Sequence, residues 1–256
     1  MGPHGINPIL FSIGSFEIRW YSLMYILSFI IGKQLLVYLT KHKIATLNKK
    51  QIDSLINYII VGLIIGARLF DVLVYDLEHT LADPLSVLRI WEGFRGLSFH
   101  GGVIGITIAL YLFAKKHKYG FFKLTDHIAF IGSLGLFFGR IGNFINSELY
   151  GRVTTSPFGV YFEGVEGLRH PSQIYEGIFE GLVIFAILRY FLFKKLYPGK
   201  LSALFLFFYG IFRFFIEFFR EPTSFVGQLT MGQFLCLLMI PCAIFLFIYP
   251  EKKKLF

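Results

Sequence analysis

A chain of 256 residues that is 55% hydrophobic, 19% aromatic and only 16% charged cannot fold as a water-soluble globule with an ordinary polar surface. This composition indicates a polytopic membrane protein. The formal net charge of +9 does not indicate a nucleic-acid-binding protein, because the lysines lie in short patches between apolar segments.

Seven apolar segments have about the 20 residues that a helix needs to cross the hydrocarbon core of a bilayer. They lie at residues 20–39, 55–75, 98–114, 126–145, 174–193, 201–219 and 231–249. The sequence therefore predicts an all-α polytopic membrane protein with seven transmembrane helices, in which residues 1–256 form a single integral membrane domain. No cleavable signal pattern precedes the first segment, so we expect that segment to stay in the mature protein.

The basic residues between the segments predict the orientation, because cytoplasmic loops are enriched in lysine and arginine. Alternate connections divide these residues into a set of fourteen and a set of six. The larger set is Lys41, Lys43, Lys49, Lys50, Lys115, Lys116, Lys118, Lys123, Lys194, Lys195, Lys200, Lys252, Lys253 and Lys254. The smaller set is Arg19, Arg89, Arg95, Arg152, Arg169 and Arg220. We therefore expect the lysine-rich side and the C-terminus in the cytoplasm, and the N-terminus outside.

The stretch 139–152 places polar residues at the outer end of the fourth predicted helix. It contains Arg140, Asn143, Asn146 and Glu148, followed by Gly151. Charged and amide side chains at membrane depth are costly unless they are paired or face water, so they indicate a functional site. Arg140 has no acidic residue three or four positions away in its own helix, and it therefore requires an anion from another helix or from a ligand.

Polar residues of the other predicted helices fall in the same outer half of the membrane. Arg213, Glu217 and Arg220 share one face of the sixth helix, at spacings of four and three residues. The remaining members are Tyr21, Arg68, Asp71, His100, Gln173, Tyr175 and Glu176. Two deep arginines, Arg140 and Arg213, favour a phosphate-bearing lipid headgroup, which a guanidinium binds bidentately. A structural ion pair is the alternative interpretation of Arg213 and Glu217.

His100 is a candidate proton acceptor, because imidazole titrates near neutral pH, although a lone histidine also suits the membrane interface. His170 precedes Pro171 at a helix start and is otherwise interpreted as a loop residue.

Gly132, Gly135, Gly139 and Gly142 form a small-residue stripe that favours close packing. Gly151 supplies a turn or leaves room for a substrate.

The sequence contains no Gly-x-Ser-x-Gly motif and no His-Glu-x-x-His motif. Cys236 and Cys242 show neither a disulfide framework nor zinc-ligand spacing, and are interpreted as small apolar residues. We therefore expect no metal and no cofactor. Since no internal nucleophile is evident, direct attack by an incoming substrate is the expected route.

Several blocks of the chain, in order, resemble the bacterial phosphatidylglycerol:prolipoprotein diacylglyceryl transferases. The first two are Ile18 to Tyr21 and Ser98 to Gly102, and the third is the stretch from Gly139 to Glu148 with Gly151 and Arg152. The others are His170 to Glu176, Phe212 to Pro222, and Met231 to Gln233.

This resemblance implies an enzyme of the bacterial cytoplasmic membrane, active toward its outer leaflet. It implies transfer of the diacylglyceryl group of phosphatidylglycerol to the thiol of a prolipoprotein signal-peptide cysteine, with release of glycerol phosphate. The family's essential positions fall on Tyr21, His100, Arg140, Asn143, Glu148, Gly151, Arg213 and Glu217.

A mechanism follows as a hypothesis. Arg140 and Arg213 hold the phosphate and stabilise the leaving group, Asn143, Asn146 and Glu148 orient the headgroup, and Glu217 positions Arg213. His100, or alternatively Tyr21, is the base that generates the thiolate. The alternative function is a transporter or lipid-binding membrane protein, although transporters usually bind near the midplane, between internal repeats that we do not find here.

Overall fold

A computed structural model describes residues 5–14, 16–75, 77, 80, 83, 98–194, 196–222 and 224–249. Of the residues that predict the orientation, Arg89, Arg95, Lys195, Lys252, Lys253 and Lys254 lie outside this set. The chain divides into two compact units. The first unit comprises Met1–Leu36 and Thr125–Lys253, and the second comprises Val37–Leu124 and Lys254–Phe256.

Each of the seven predicted segments coincides with a helix. These are α1 (Trp20–Lys41), α2 (Lys49–Phe70, continued by the π-helical turn Asp71–Tyr75), α3 (Phe99–His117) and α4 (Phe121–Ile145). They are followed by α5 (Ser172–Glu176, the π-helical stretch Gly177–Val183 and Ile184–Leu192), α6 (Lys200–Ile216) and α7 (Met231–Ile248). In the described part of the chain, four helices are long and apolar enough to cross a membrane, namely Trp20–Lys41, Lys49–Val74, Phe121–Ile145 and Met231–Ile248.

Many large apolar side chains on these helices are exposed, among them Ile30, Ile65, Ile108 and Phe245. Such apolar helix surfaces are those of a membrane protein, in which lipid covers the outward faces. The prediction of an all-α chain omits two short antiparallel hairpins, β1 (Ile9–Ile13) with β2 (Phe16–Arg19) and β3 (Phe225–Val226) with β4 (Leu229–Thr230). These strands are too short for a period-two pattern to identify.

In the first unit, α4 packs antiparallel to α1 through small residues. A Cβ built on Gly142 would lie 2.6 Å from Tyr21 Cδ2, one on Gly135 would lie 3.9 Å from Ser28 Cβ, and one on Gly32 would lie 3.1 Å from Ile131 Cγ2. Only part of the predicted glycine stripe therefore packs against α1, since a Cβ on Gly132 or Gly139 would meet nothing within 4 Å.

The next helix, α5, packs antiparallel to α4 through its own glycines. A Cβ on Gly181 would lie 2.9 Å from Phe137 N, and one on Gly177 would lie 3.4 Å from Arg140 Cβ. Because the first of these neighbours is backbone, no larger residue fits at position 181 without moving a helix. The two glycines thus place the π-helical part of α5 directly beside Arg140.

Charged side chains hold the start of α6 to α4 and to the end of α7. Asp126 of α4 accepts hydrogen bonds from the backbone N–H groups of Gly199 and Ser202, each at 2.7 Å. Lys200 donates to the carbonyl oxygens of Leu246 at 3.3 Å and Tyr249 at 3.1 Å, and also to that of Phe247. A negative charge at a helix start and a positive charge at a helix end both stabilise the helix dipoles.

In the second unit, α2 and α3 pack antiparallel at backbone contact distance. Their glycines face one another in the pairs Gly62 with Gly105 and Gly66 with Gly101, where any Cβ would overlap a backbone oxygen. Ser98 caps the start of α3 by accepting a hydrogen bond from Gly101 N.

Candidate functional site

Six ionisable side chains from three neighbouring helices lie together in the first unit. We call them the arginine–glutamate cluster, which consists of Arg140 (α4), Glu176 and Glu180 (α5), Arg213 (α6) and, just beyond α6, Glu217 and Arg220. Glu176 and Glu180 have no exposed surface, and Glu217 and Arg220 are also buried. Charges at such depth are sustained only by mutual pairing, so the cluster fixes how these helices pack.

Glu176 is the centre of the cluster. Its Oε2 atom is 2.7 Å from Arg140 Nη2 and 2.8 Å from Arg213 Nη1, and its Oε1 atom accepts a hydrogen bond from Arg220 Nη1. Arg140 therefore receives its anion from another helix. The geometry also brings the guanidinium groups of Arg140 and Arg213 to a single oxygen atom.

Glu217 holds Arg213 from the other side. Its Oε2 atom is 3.0 Å from Arg213 Nη2 and 3.6 Å from Arg220 Nε. The first turn of α7 covers this carboxylate, since a Cβ on Gly232 would lie 2.6 Å from Glu217 Cδ. The spacing of Arg213, Glu217 and Arg220 on one face thus becomes a set of direct ion pairs.

Glu180, one turn after Glu176, is the carboxylate of the cluster with the longest ion pairs. Its oxygens lie 3.9 Å from Arg140 Nη2 and 3.8 Å from Arg213 Nη1. Neither oxygen has a hydrogen-bond partner among the described residues, although both are buried. Among the described residues, Glu180 therefore interacts with Arg140 and Arg213 through charge attraction and not through hydrogen bonds.

A line of amide groups leads from the cluster to Glu148. Arg140 Nη1 donates to Asn143 Oδ1 at 3.4 Å, Asn143 Nδ2 donates to Glu148 Oε2 at 3.2 Å, and Asn146 Nδ2 donates to Glu148 Oε1 at 3.1 Å. The structure therefore brings together Arg140, Asn143, Asn146 and Glu148, four residues that the sequence analysis singled out.

The turn that carries Glu148 has an unusual backbone. Ser147 and Leu149 both have φ of 57°, in the left-handed region that non-glycine residues seldom adopt. The start of α5 secures this turn, because Gln173 Nε2 donates to Glu148 O at 2.6 Å and Ser172 Oγ donates to Leu149 O at 3.0 Å. The block from His170 to Glu176 thus positions the acidic residue of the turn.

Gly151 lies where three chain segments meet. A Cβ at this position would lie 2.7 Å from both Cβ and O of His170, and would overlap the carbonyl oxygen of Phe219. Gly151 N donates to His170 O at 2.8 Å, and Gly151 pairs with Arg220 in an isolated antiparallel bridge. In this structure the glycine makes room for neighbouring backbone.

His170 lies beside this junction, before α5 begins. Its Nδ1 atom is 3.2 Å from the hydroxyl oxygen of Tyr175, and its ring packs edge-on against Phe219 at 5.1 Å between centroids. Partial burial lowers the pKa of His170 below the ordinary value, because desolvation disfavours the imidazolium form.

The two candidate bases lie in different units. Tyr21 belongs to the first unit, where its ring contacts Gly142 and its hydroxyl lies 3.0 Å from the hydroxyl of Tyr25. His100 belongs to the second unit, in the first turn of α3, with an exposed side chain whose ring is 6.4 Å from that of Phe70. Arg68 and Asp71 are in the same unit, 3.9 Å apart.

Sequence reasoning grouped Glu176 with the polar residues of the outer half but gave it no role in the site, and it left Glu180 out. A signal for them was present, since two acidic residues four positions apart in an apolar segment would meet on one helix face. Identifying their arginine partners required knowledge of which helices are neighbours.

Comparison with known proteins identifies the family. The family model for prolipoprotein diacylglyceryl transferase matches residues 8–249. The chain is 45% identical over 258 residues to the phosphatidylglycerol–prolipoprotein diacylglyceryl transferase of Rickettsia bellii (strain OSU 85-389), covering 98% of this chain and 97% of that protein. It is 47% identical over 240 residues to the protein of the same name from Rickettsia typhi (strain ATCC VR-144 / Wilmington), covering 90% and 91% of the two chains. The match spans nearly the whole chain, which confirms the resemblance seen in the motifs, and the protein belongs to the prolipoprotein diacylglyceryl transferase family.

Proposed function

We propose that this chain transfers the diacylglyceryl group of phosphatidylglycerol to the thiol of the acceptor cysteine in a prolipoprotein signal peptide. The sulfur attacks the glyceryl carbon that carries the phosphate ester, and the C–O bond breaks. Glycerol phosphate leaves with the electron pair of that bond, a thioether forms, and the thiol proton passes to a base. This is the first step of bacterial lipoprotein maturation.

The observation that carries the proposal is the meeting of Arg140 and Arg213 at Glu176 Oε2, at 2.7 and 2.8 Å. Two guanidinium groups this close together can bind two oxygens of one phosphate. A guanidinium has five N–H donors, so the bond to Glu176 leaves each arginine with donors for a ligand. Charge that builds on the leaving phosphate is stabilised by such fixed donors.

Residues around the two arginines fit supporting roles in this scheme. Glu217 fixes the orientation of Arg213 through the 3.0 Å ion pair. Asn143, Asn146 and Glu148 offer hydrogen-bonding groups to the glycerol headgroup. Gly151 leaves room for the backbone of His170 and Phe219. His100 is the proposed base, with Tyr21 as the alternative.

We further propose that the whole chain is one integral domain with seven transmembrane helices in the bacterial cytoplasmic membrane. The N-terminus lies outside, the C-terminus in the cytoplasm, and the site faces the outer leaflet. The lysine distribution supports this orientation. Cysteine labelling with a membrane-impermeant reagent tests it: a cysteine at Glu166 must react from outside intact spheroplasts, and one at Lys118 only after permeabilisation.

The direct test of activity uses purified protein in detergent with phosphatidylglycerol and a synthetic signal peptide that contains one cysteine. We expect diacylglyceryl thioether on the peptide and release of glycerol phosphate. Because detergent provides no compartment, product formation also separates an enzyme from a transporter or a lipid-binding protein. Lipid binding without product would contradict the proposal.

The role of the arginines is tested with R140A and R213A. We expect each to lower the transfer rate by roughly 10²–10³-fold, because each removes fixed donors for the developing charge. R189A is the matched control, since Arg189 lies on the exposed face of α5 and stacks on Phe193. Wild-type rates in a folded R140A or R213A protein would contradict the scheme.

The base is tested with H100N and Y21F. If His100 accepts the thiol proton, H100N lowers the rate most at low pH and regains part of it as the pH approaches the pKa of the thiol. Y21F should then retain most of the wild-type rate. The reverse pattern would assign the base to Tyr21.

A further inference from the structure

Glu180 has no role in the scheme above, yet it lies inside the arginine–glutamate cluster. It has no exposed surface, and both of its carboxylate oxygens lack a hydrogen-bond partner among the described residues. Burying a carboxylate without hydrogen bonds costs free energy, because no hydrogen bond offsets its loss of hydration. Its position therefore calls for a functional explanation.

The position of Glu180 is fixed by backbone packing. The residue lies in the π-helical stretch Gly177–Val183, and Gly181 is pressed against the backbone of Phe137. Irregular turns of this kind inside helices are frequent at functional sites. The backbone of Glu180 is thus held in place, and its oxygens lie 3.9 Å from Arg140 and 3.8 Å from Arg213.

The charge of the cluster depends on Glu180. Three arginines and three glutamates sum to zero when all are ionised. Protonation of one glutamate leaves a single positive charge, which matches the single negative charge of a phosphodiester. A fully ionised cluster would instead leave the entering phosphate uncompensated in a buried site.

Glu180 is the carboxylate whose protonation disturbs the weakest interactions. Glu176 accepts hydrogen bonds from arginines on both oxygens, and Glu217 is 3.0 Å from Arg213. Protonation of Glu176 would break hydrogen-bonded ion pairs, and protonation of Glu217 would weaken its 3.0 Å ion pair. Protonation of Glu180 weakens only ion pairs of 3.8 and 3.9 Å.

We propose that Glu180 takes up one proton from solvent when the anionic phosphate of phosphatidylglycerol binds to Arg140 and Arg213, and that it thereby balances the charge of the site. No covalent bond changes in this step. The inference rests on the proposed function, and Glu180 acts in it as a positioning residue that sets the charge of the two arginines' surroundings.

The groups that face Glu180 come from every helix packed around it. They are Arg140 of α4, Glu176 of its own helix, Tyr209 and Arg213 of α6, Arg220 just beyond α6, and Cys236 of α7. Arginine, tyrosine and cysteine already carry their protons near neutral pH, so only the carboxylates among these groups can take one up. A change in bound protons that disappears with Glu180 is therefore assignable to it.

The experiment is isothermal titration of the full-length protein in detergent with dihexanoylphosphatidylglycerol. Two buffers of different ionisation enthalpy at each pH give the number of protons taken up. In a pH series around neutrality, we expect the wild type to reach about one proton per lipid bound. E180Q should bind the lipid with an uptake near zero. The matched control, E221Q, should take up as many protons as the wild type.

Dihexanoylglycerol, which has no phosphate, serves as the second ligand and should cause no uptake in the wild type. If E180Q does not fold, this wild-type comparison still tests whether proton uptake depends on the phosphate. Equal uptake with both ligands, no uptake at any pH, or wild-type uptake by E180Q would overturn the inference. Thioether formation without proton uptake would overturn this inference alone, whereas a wild-type protein that makes no thioether would overturn the proposed function.

Discussion

Gly232 in the first turn of α7 lies directly against the carboxylate of Glu217. A Cβ at position 232 would stand 2.6 Å from Glu217 Cδ and 2.7 Å from Oε1. Gly232 thus confines the carboxylate of Glu217, which forms the 3.0 Å ion pair with Arg213.

The substitution G232A should therefore separate activity from stability. The added methyl group meets the end of a side chain rather than backbone, so Glu217 can rotate away at a cost of about 1 kcal/mol. Arg213 then loses its second carboxylate, and we expect the transfer rate to fall at least tenfold. G132A is the control, because a Cβ at Gly132 meets nothing within 4 Å. Equal rates for the two variants would contradict the role assigned to Glu217.

The substitution G151A, in contrast to G232A, should mainly lower the stability of the protein. A Cβ there would meet the backbone of His170 and Phe219, which cannot rotate aside. We expect G151A to lose about 1–3 kcal/mol of stability, measured as a lower midpoint of thermal unfolding in detergent. If G151A unfolds at the wild-type temperature but is inactive, substrate contact rather than packing explains the glycine.

Replacing the centre of the cluster should destabilise the protein severely. E176Q removes the charge that pairs with Arg140, Arg213 and Arg220, and it leaves buried guanidinium groups without their partner. Loss of one partner of a buried pair typically costs about 3–5 kcal/mol. E221Q breaks the 2.8 Å pair with Arg169, in which Glu221 is 52% exposed, so we expect about 0–1 kcal/mol there. Thermal unfolding of both variants checks the contrast.

Stability should decrease toward acidic pH, in part through His170. Burial lowers the pKa of this imidazole in the folded state, so between its folded and unfolded pKa values the unfolded chain binds more protons. The stability contribution is therefore complete above the unfolded pKa of about 6.5 and is lost as the pH falls through the folded pKa. We expect H170Q to flatten this part of the pH profile of thermal unfolding.

Much of the fold could be predicted because apolar length and period are local properties. The predicted segments 20–39 and 231–249 correspond closely to α1 (Trp20–Lys41) and α7 (Met231–Ile248). The hairpins were missed because two to five residues carry too little pattern. The π-helical centre of α5 was also missed, and there Gly181 packs on Phe137, a contact between distant parts of the sequence.

The candidate site could be predicted residue by residue but not as a set of partners. Their predicted depth in the membrane was enough to identify Arg140 and Arg213, because a charged side chain there needs an anion. That the anion is Glu176, shared by both, follows from the antiparallel packing of α5 between α4 and α6. The sequence places these helices in order along the chain and does not specify which faces meet.

The ties at the start of α6 bear on how this protein can open. Asp126 and Lys200 fasten α6 to α4 and to the end of α7, about 13 residues and roughly 20 Å along the helix from Arg213. The arginine–glutamate cluster ties α6 to α4 and α5 near its other end. Because α6 is held at both ends, an acyl chain can part it from α4 only by breaking one of these two sets of charged contacts.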